Sequence, residues 1–245
     1  MRTVAVIQAR MGSSRLPGKV LLPLAGGRVI DHVVERASAI PGVDHVVVAT
    51  STRSIEDPLV AHVEARGRAQ VVRGSESDCL SRFCLAQAES GADVLVRITA
   101  DCPLLDPAVS GASVARFHEA AGALDYVSNV YGRRTWPRGL DTEVFSADAL
   151  LQAGREATQP GHREHVTPFL WSQPERFRVE GVHGETDHSR HRWTLDTTDD
   201  LALIERIYDA LWAQGSDFTT DDVLQLLAER PDWVALNAHV EQKKV

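Results

Sequence analysis

Apolar positions in the first half of the chain fall into short, strand-length runs separated by stretches with helical spacing. Residues 3–9 (TVAVIQA) form a β-branched run that predicts a buried strand. Residues 28–40 (RVIDHVVERASAI) space their apolar side chains as a helix does, and 43–50 (VDHVVVAT) predicts the next strand. Ser54 is placed to cap a helix over 55–66. Residues 69–74 (AQVVRG) then predict a short strand, 78–90 a helix begun near Ser77, and 94–99 (VLVRIT) another strand. Pro107 opens a helix that reaches about Ala121. This alternation predicts an α/β fold: a Rossmann-like, mostly parallel sheet with helices on both faces. The strands are near-continuously apolar, as a sheet covered on both faces requires.

The pattern changes after about residue 125. Residues 124–130 and 140–146 predict strands, and the arginine- and turn-rich YGRRTWPRG lies between them. Helices are expected over 147–156 and 163–173, then a strand over 176–182 and a polar loop at 183–191. Residues 192–197 (RWTLDT) return to strand character, and the C-terminal region is helical, most clearly over 199–214. No internal repeat, low-complexity tract or linker divides the chain. The expected organisation is a single domain over 1–245 with an insertion at about 126–185.

Composition narrows the classes. A length of 245 residues suits one large α/β domain. The net charge of −8, without a basic tail or arginine-rich run, argues against a general nucleic-acid binder. Local arginines can still build a positive pocket within an acidic protein. Cys79, Cys84 and Cys102 are odd in number and make no CxxC pair, which favours buried thiols over disulfides or a zinc site. The apolar runs are too short to span a membrane, and the N-terminal run is too short for a signal peptide. These features predict a cytoplasmic protein.

In a doubly wound sheet, ligands bind beyond the carboxyl ends of the strands. The first such loop lies in AVIQARMGSSRLPGKVL, residues 5–21. Gly12, Ser13 and Ser14 let backbone N–H groups approach an anion, and Arg10, Arg15 and Lys19 place three cations within ten residues. The loop is no Walker motif, because five residues separate Gly12 from Gly18 and Val20 follows the lysine. It also lacks the G-x-G-x-x-G of a dinucleotide site. A polyphosphate is the expected ligand. Asp101 follows the apolar run 94–99, where a lone carboxylate suits Mg2+ or the cap of the next turn, and position alone does not decide between them. Asp196 likewise precedes a helix start whose Asp199 and Asp200 offset the dipole. Asp101 and Asp196 are thus placed to hold one Mg2+ between them.

The segments IQARMGSSRLPGKVLLPLAG, VVRGSESDCLSRF, VRITADCPLLDP, PRGLDTEVF, REHVTPFL and RWTLDTTDDL cover most of the chain. In this order they resemble the SpsF-like cytidylyltransferases, which are related to CMP-sialic acid and CMP-Kdo synthetases. The resemblance implies a glycosyltransferase-A-like nucleotidyltransferase fold. It also implies transfer of CMP from CTP to a small anionic acceptor, with Mg2+ and release of pyrophosphate. Carried over, the nucleotide loop falls on Ala9, Arg10, Met11, Gly12, Ser13, Arg15 and Lys19. Arg73, Gly74, Ser75 and Asp78 fall near the base and ribose, and Arg97 on the strand leading to Asp101. The metal carboxylates fall on Asp101 and Asp196, which join Arg15 and Lys19 as the catalytic set. The acceptor side falls on Asn129, Pro137, Arg138, Gly139, Asp141, Glu143, Arg163, Glu164 and His165. A homodimer with the insertion as interface is also implied.

Arg133, Arg134 and Arg138, with His188, Arg190, His191 and Arg192, suit a carboxylate, phosphate or phosphonate. A sugar acid is the first acceptor the resemblance implies, and a phosphonate the second. Taken singly, each arginine also reads as a solvated loop charge. His183, Asp187, His188 and His191 match no metal-ligand spacing and read as a solvent loop. Cys102 reads as a small buried thiol, and Trp171 and Trp193 as core or interface residues. A non-catalytic nucleotide-binding regulator would lack a metal carboxylate or the loop lysine, and Asp101, Asp196 and Lys19 are all present.

Overall fold

The computed structural model describes residues 1–215 and 217–241. The first half is built from β1 (Thr3–Gln8), the two-residue strands β2 (Pro23–Leu24) and β3 (Gly27–Arg28), α1 (Val29–Ser38), β4 (His45–Ser51), α2 (Asp57–Arg66), β5 (Gln70–Gly74), α3 (Cys79–Ser90), β6 (Val94–Thr99) and α4 (Pro107–Glu119). The second half adds β7 (Tyr126–Ser128), β8 (Glu143–Ser146), α5 (Ala147–Glu156), α6 (Pro160–His165), α7 (Pro168–Trp171) and β9 (Val179–Gly181). Three helices close the chain: α8 (Thr198–Leu211), α9 (Thr220–Glu229) and α10 (Pro231–Val234).

Seven strands form one sheet in the order β5-β4-β1-β6-β8-β7-β9. The half from β5 to β6 is parallel, β8 runs antiparallel to both of its neighbours, and β9 pairs parallel with β7. β1 lies at the centre, with Ala5 opposite Val46 on one side and Val96 on the other. Successive side chains of a strand face opposite ways. Ala5 and Ile7 accordingly join the core beneath α1 and α4, while Val4 and Val6 join the core beneath α3 and α5. A third cluster, around Trp193, Leu195, Ile204, Tyr208 and Leu227, seats the C-terminal helices. Among the described residues no helix is long and apolar enough to cross a membrane.

Residues 126–185 supply β7, β8 and β9 to this same sheet rather than a sheet of their own. Three sequence expectations change. Ser54 begins a single 3-10 turn, Ser54–Glu56, and the α-helix starts only at Asp57, without a side-chain cap from Ser54. The expected helix 163–173 is two short helices. Val166 sits between them at φ +72°, a strained conformation for a β-branched residue, and Pro168 has no N–H with which to continue the ladder. Residues 192–197 are extended but join no sheet. Arg192 makes one bridge to Arg138, and the amides of Trp193 and Leu195 donate to the carbonyls of Arg138 (2.7 Å) and Asp101 (2.8 Å). The period-two pattern is real, but its partners are loops, because the segment crosses the carboxyl edge of the sheet.

Candidate active site

The loop after β1 is closed by its own backbone. The amides of Ser13 and Gly18 both donate to the Met11 carbonyl, each at 2.9 Å, and Gly18 takes φ +70° to turn the chain into the 3-10 helix Lys19–Leu21. The Ala9 amide donates to Ala49 at 3.1 Å, carrying the pairing of β1 one residue further. The loop entrance is pinned by Glu56, a buried carboxylate that accepts from the Met11 amide (2.8 Å) and the Thr50 hydroxyl (3.2 Å). Among the described residues, the amides of Gly12 and Ser14 have no acceptor, and Ser14 lines the cleft, so the loop keeps N–H groups available to an anion.

Lys19 is the hub of the site. Its Nζ donates to Asp101 Oδ2 and Asp196 Oδ1, each at 2.8 Å, and to the Leu195 carbonyl at 2.7 Å. Asp101 ends the segment after β6, and its Oδ1 accepts from the Thr99 hydroxyl at 2.6 Å. Asp196 Oδ2 also meets Arg15 at 2.9 Å and Arg192 at 2.8 Å. Burial disfavours the charge on Lys19, but Asp101 and Asp196 outweigh it and hold its pKa above the ordinary lysine value. Burial also works against the Asp196 carboxylate, yet Lys19, Arg192 and Arg15 hold it below the usual range.

Behind this hub stands a fixed support. Asp200, fully buried in the first turn of α8, accepts from Arg192 Nε (2.9 Å), from the amides of Asp196 (2.9 Å) and Thr197 (3.0 Å), and from Asn237 Nδ2 (2.9 Å). Asn237 Nδ2 also donates to the Arg192 carbonyl at 2.9 Å. Asp196 is thereby positioned through its backbone, by Asp200, and through its carboxylate, by Arg192.

Gln8, Arg10, Ser13, Arg15, Lys19, Asp101 and Asp196 line the inner cleft, which opens into a wider cavity of about 600 Å³ between β6, the 138–141 turn and α6–α7. Arg97, Arg138, Gly139, Asp141, Glu143 and His165 reach this cavity. Arg10 and Arg138 make no ion pair or side-chain hydrogen bond with the described residues. Burial and then the neighbouring Arg134 guanidinium lower the pKa of Arg138, and Asp141 offsets them only in part, so an incoming anion would stabilise its charge. Gly139 sits at φ +107°, where a Cβ would come within 2.8 Å of the Trp193–Thr194 backbone. That close approach locks the 138–141 turn against the segment carrying Asp196.

Several expected site residues lie elsewhere or are already occupied. Asn129 is buried off the cleft, its amide spent on the Leu140 carbonyl (2.6 Å) and the Thr142 amide (2.8 Å). Arg163 turns away to Asp78 (2.9 Å) and the Gly154 carbonyl (2.9 Å). Asp78 also caps α3 through the Ser81 amide at 2.9 Å. Arg73 donates to the carbonyls of Ser51 (3.0 Å) and Arg53 (2.9 Å), and Gly74 packs against Arg82. Arg73, Gly74, Ser75 and Asp78 thus share the carboxyl edge of the sheet but do not line the cleft. Glu143 lies in the cleft floor with its carboxylate consumed by Arg97, Thr167 and the Tyr126 hydroxyl (2.7 Å). Arg134 forks Asp141 at 2.6 and 2.7 Å.

Cys102 is a buried thiol with its pKa pushed well up by burial and then by Asp101, which suits packing and not nucleophilic attack. Trp193 is a core residue, 1% exposed, but Trp171 is 38% exposed on the cavity wall. Among the described residues no three His, Cys, Asp or Glu side chains cluster as a metal site. Glu56, Asp200, Asn237 and Trp171 were not legible as site residues. The TTDD helix start pointed to Asp200 but as a dipole partner, Trp171 read as a core or interface residue, and nothing in the sequence marked Glu56 or Asn237.

The sequence pattern of a protein family described as cytidylyltransferase matches residues 4–223. The spore coat polysaccharide biosynthesis protein SpsF of Bacillus subtilis is 32% identical over 93% of this chain and 94% of its own. A 3-deoxy-manno-octulosonate cytidylyltransferase of Mesorhizobium japonicum is 38% identical over 49% of this chain and 50% of its own. A solved cytidylyltransferase structure from Leptospira borgpetersenii superposes with a TM-score of 0.90 at 28% identity, covering 100% of both chains.

Proposed function

This chain belongs to the cytidylyltransferase family, and on that premise we propose that it joins CMP from CTP to a sugar acid and releases pyrophosphate. The observation that carries the proposal is the Lys19 ammonium held between Asp101 and Asp196 at the mouth of a cation-lined cleft. Support for a sugar acid comes from the octulosonate-specific relative and from the unpaired Arg138 in the outer cavity.

In the proposed reaction an acceptor oxygen attacks the α-phosphorus of CTP. The new oxygen–phosphorus bond forms as the bond from the α-phosphorus to the α,β-bridging oxygen breaks, its electron pair leaves with pyrophosphate, and a hydroxyl acceptor gives up its proton to solvent. Such transfers ask the protein for in-line positioning and charge neutralisation rather than covalent chemistry. The free amides of Gly12 and Ser14, with Arg10, Arg15 and Lys19, are placed for the departing phosphates. Arg138 is placed for the acceptor's acid group.

Asp101 and Asp196 fit a divalent cation. Both accept from one ammonium at 2.8 Å, so two hard oxygen donors converge on a single cationic position. Mg2+ ordinarily takes one or two carboxylates and completes its shell with water and phosphate oxygens. When bound there, Mg2+ would supply charge neutralisation at the α-phosphate. Such an ion would take the position that the Lys19 ammonium holds between the two carboxylates, leaving Lys19 to bind phosphate oxygens.

A pyrophosphate-release assay with each nucleoside triphosphate against a panel of sugar acids and phosphonates tests this reading. Release with CTP and a sugar acid is expected. Release only with phosphonates would reassign the acceptor, and CTP binding without release for any pair would make the chain a regulator.

A further inference from the structure

The outer cavity holds an aromatic side chain that the reaction just described does not use. Trp171 ends the short helix α7, whose Phe169 and Leu170 are buried in the core and fix the helix in place. Trp171 as a residue stays 38% exposed, against 1% for Trp193, and it lines the same cavity as Arg138 and Glu164. A tryptophan anchored by a packed helix yet left open to a cleft is an apolar platform without a partner. Glu164, on α6, lines the same cavity and is exposed, its side chain without a hydrogen bond or ion pair to the described residues. Arg138 adds a guanidinium that makes no ion pair with the described residues.

We infer that Trp171 is the specificity residue of the acceptor subsite, stacking the apolar face of a cyclic, polyhydroxylated acid. This rests on the cytidylyltransferase reading and narrows its acceptor class. The three side chains bring three different chemistries to one cavity, Trp171 and Glu164 from α6–α7 and Arg138 from the 138–141 turn. The indole face matches the C–H face of a pyranose ring. The Glu164 carboxylate accepts from ring hydroxyls, and the Arg138 guanidinium forks a carboxylate. A short acyclic phosphonate offers Arg138 its charge but has no ring for Trp171 and few hydroxyls for Glu164. The platform therefore selects ring acids over phosphonates of equal charge. Trp171 touches no residue of the Lys19–Asp101–Asp196 hub in its hydrogen bonding, so its substitution leaves the reacting end intact.

The test uses the full chain with Trp171→Ala, Trp171→Phe and Trp171→Tyr. With CTP saturating and 3-deoxy-manno-octulosonate varied, Trp171→Ala should raise the KM for the sugar acid by about tenfold or more, with kcat and the KM for CTP little changed. The Phe and Tyr variants should recover most of the loss, and binding of methylphosphonate should be the same in all four proteins. An unchanged sugar-acid KM in Trp171→Ala, or no rescue by Phe and Tyr, overturns the assignment. A raised KM for CTP overturns it too, by placing the cytosine ring on the indole. Binding of the sugar acid is also followed by indole fluorescence in the presence of CTP. If no pyrophosphate appears with any acceptor, the reaction reading fails. The subsite is then decided by whether quenching on sugar-acid addition disappears in Trp171→Phe.

Discussion

Asp196 meets three cations, and they are held in different ways. Arg192 is clamped by Asp200, and the same Asn237 amide binds both Asp200 and the Arg192 carbonyl, so that guanidinium is part of the scaffold. Arg15 and Lys19 sit on the loop after β1, where the triphosphate of the proposed reaction would compete with Asp196 for them. Lys19 should therefore suppress metal binding in the nucleotide-free enzyme. Replacing Lys19 with Met removes the competing charge at similar length. Mn2+ affinity without CTP, read by electron paramagnetic resonance, should tighten roughly tenfold or more. Equal affinities in the two proteins would mean that the ammonium and the ion do not share a position.

Histidine 32 makes a second residue-scale prediction. It is buried, its Nε2 lies 2.7 Å from the Leu24 carbonyl and so donates to it, and Tyr208 and Trp212 pack on the ring. Burial holds its pKa below the ordinary 6.5. The unfolded chain then takes up a proton near 6.5 that the folded chain refuses, so stability is full above that pH and falls below it. His165 and His191 shift the same way. Asp196 and Asp200 lie below the ordinary 3.8, so their contribution is present above that pH and lost beneath it. Urea midpoints should drop first below about 6.5 and again below about 4. His32→Gln should flatten the first drop, and a wild-type curve level from pH 7 to 5 would remove the histidine term.

At the scale of elements, two glycines separate backbone need from ligand need. Gly139 combines φ +107° with a Cβ clash against the Trp193–Thr194 backbone. Gly12 has open space around it and no such φ. Gly139→Ala should destabilise by about 2 kcal/mol or more and impair turnover, because the 138–141 turn and the Asp196 segment move together. Gly12→Ala should leave stability within about 0.5 kcal/mol while raising the KM for CTP, since a methyl group would intrude only on an anion approaching the loop. Denaturation and steady-state kinetics on both variants check the contrast. The loss of the long helix at 163–173 has a functional side as well. The break at Val166 and Pro168 turns His165 and Trp171 to the cavity from two short helices, where one continuous helix would follow a single axis.

The whole molecule carries a net charge of −8 around a cleft lined with Arg10, Arg15, Lys19 and Arg138. CTP at a hundredfold excess over its Kd should stabilise the fold by about 2.7 kcal/mol, a rise in Tm of roughly 5–10 °C by calorimetry. The rise should shrink with added salt, because the binding is largely charge neutralisation. An unchanged Tm with CTP would place the triphosphate site elsewhere. The sequence alone determined the α/β class, the order of the main strands and helices of the first half, the cation-bearing loop after β1, and Asp101 as a carboxylate just beyond a strand. Those features are written in local periodicity and in residue types beside strands, which contacts within a few residues can express. Only the tertiary structure decided that residues 192–197 pair with loops, that Asn129 is buried and Arg163 bonds to Asp78, and that Trp171 lines the outer cavity. It also decided that Lys19 bridges carboxylates 82 and 177 residues away in the chain. The difference is physical. A side chain's period tells which way it faces from its own element, but its partner is set by what the sheet order brings to the same edge.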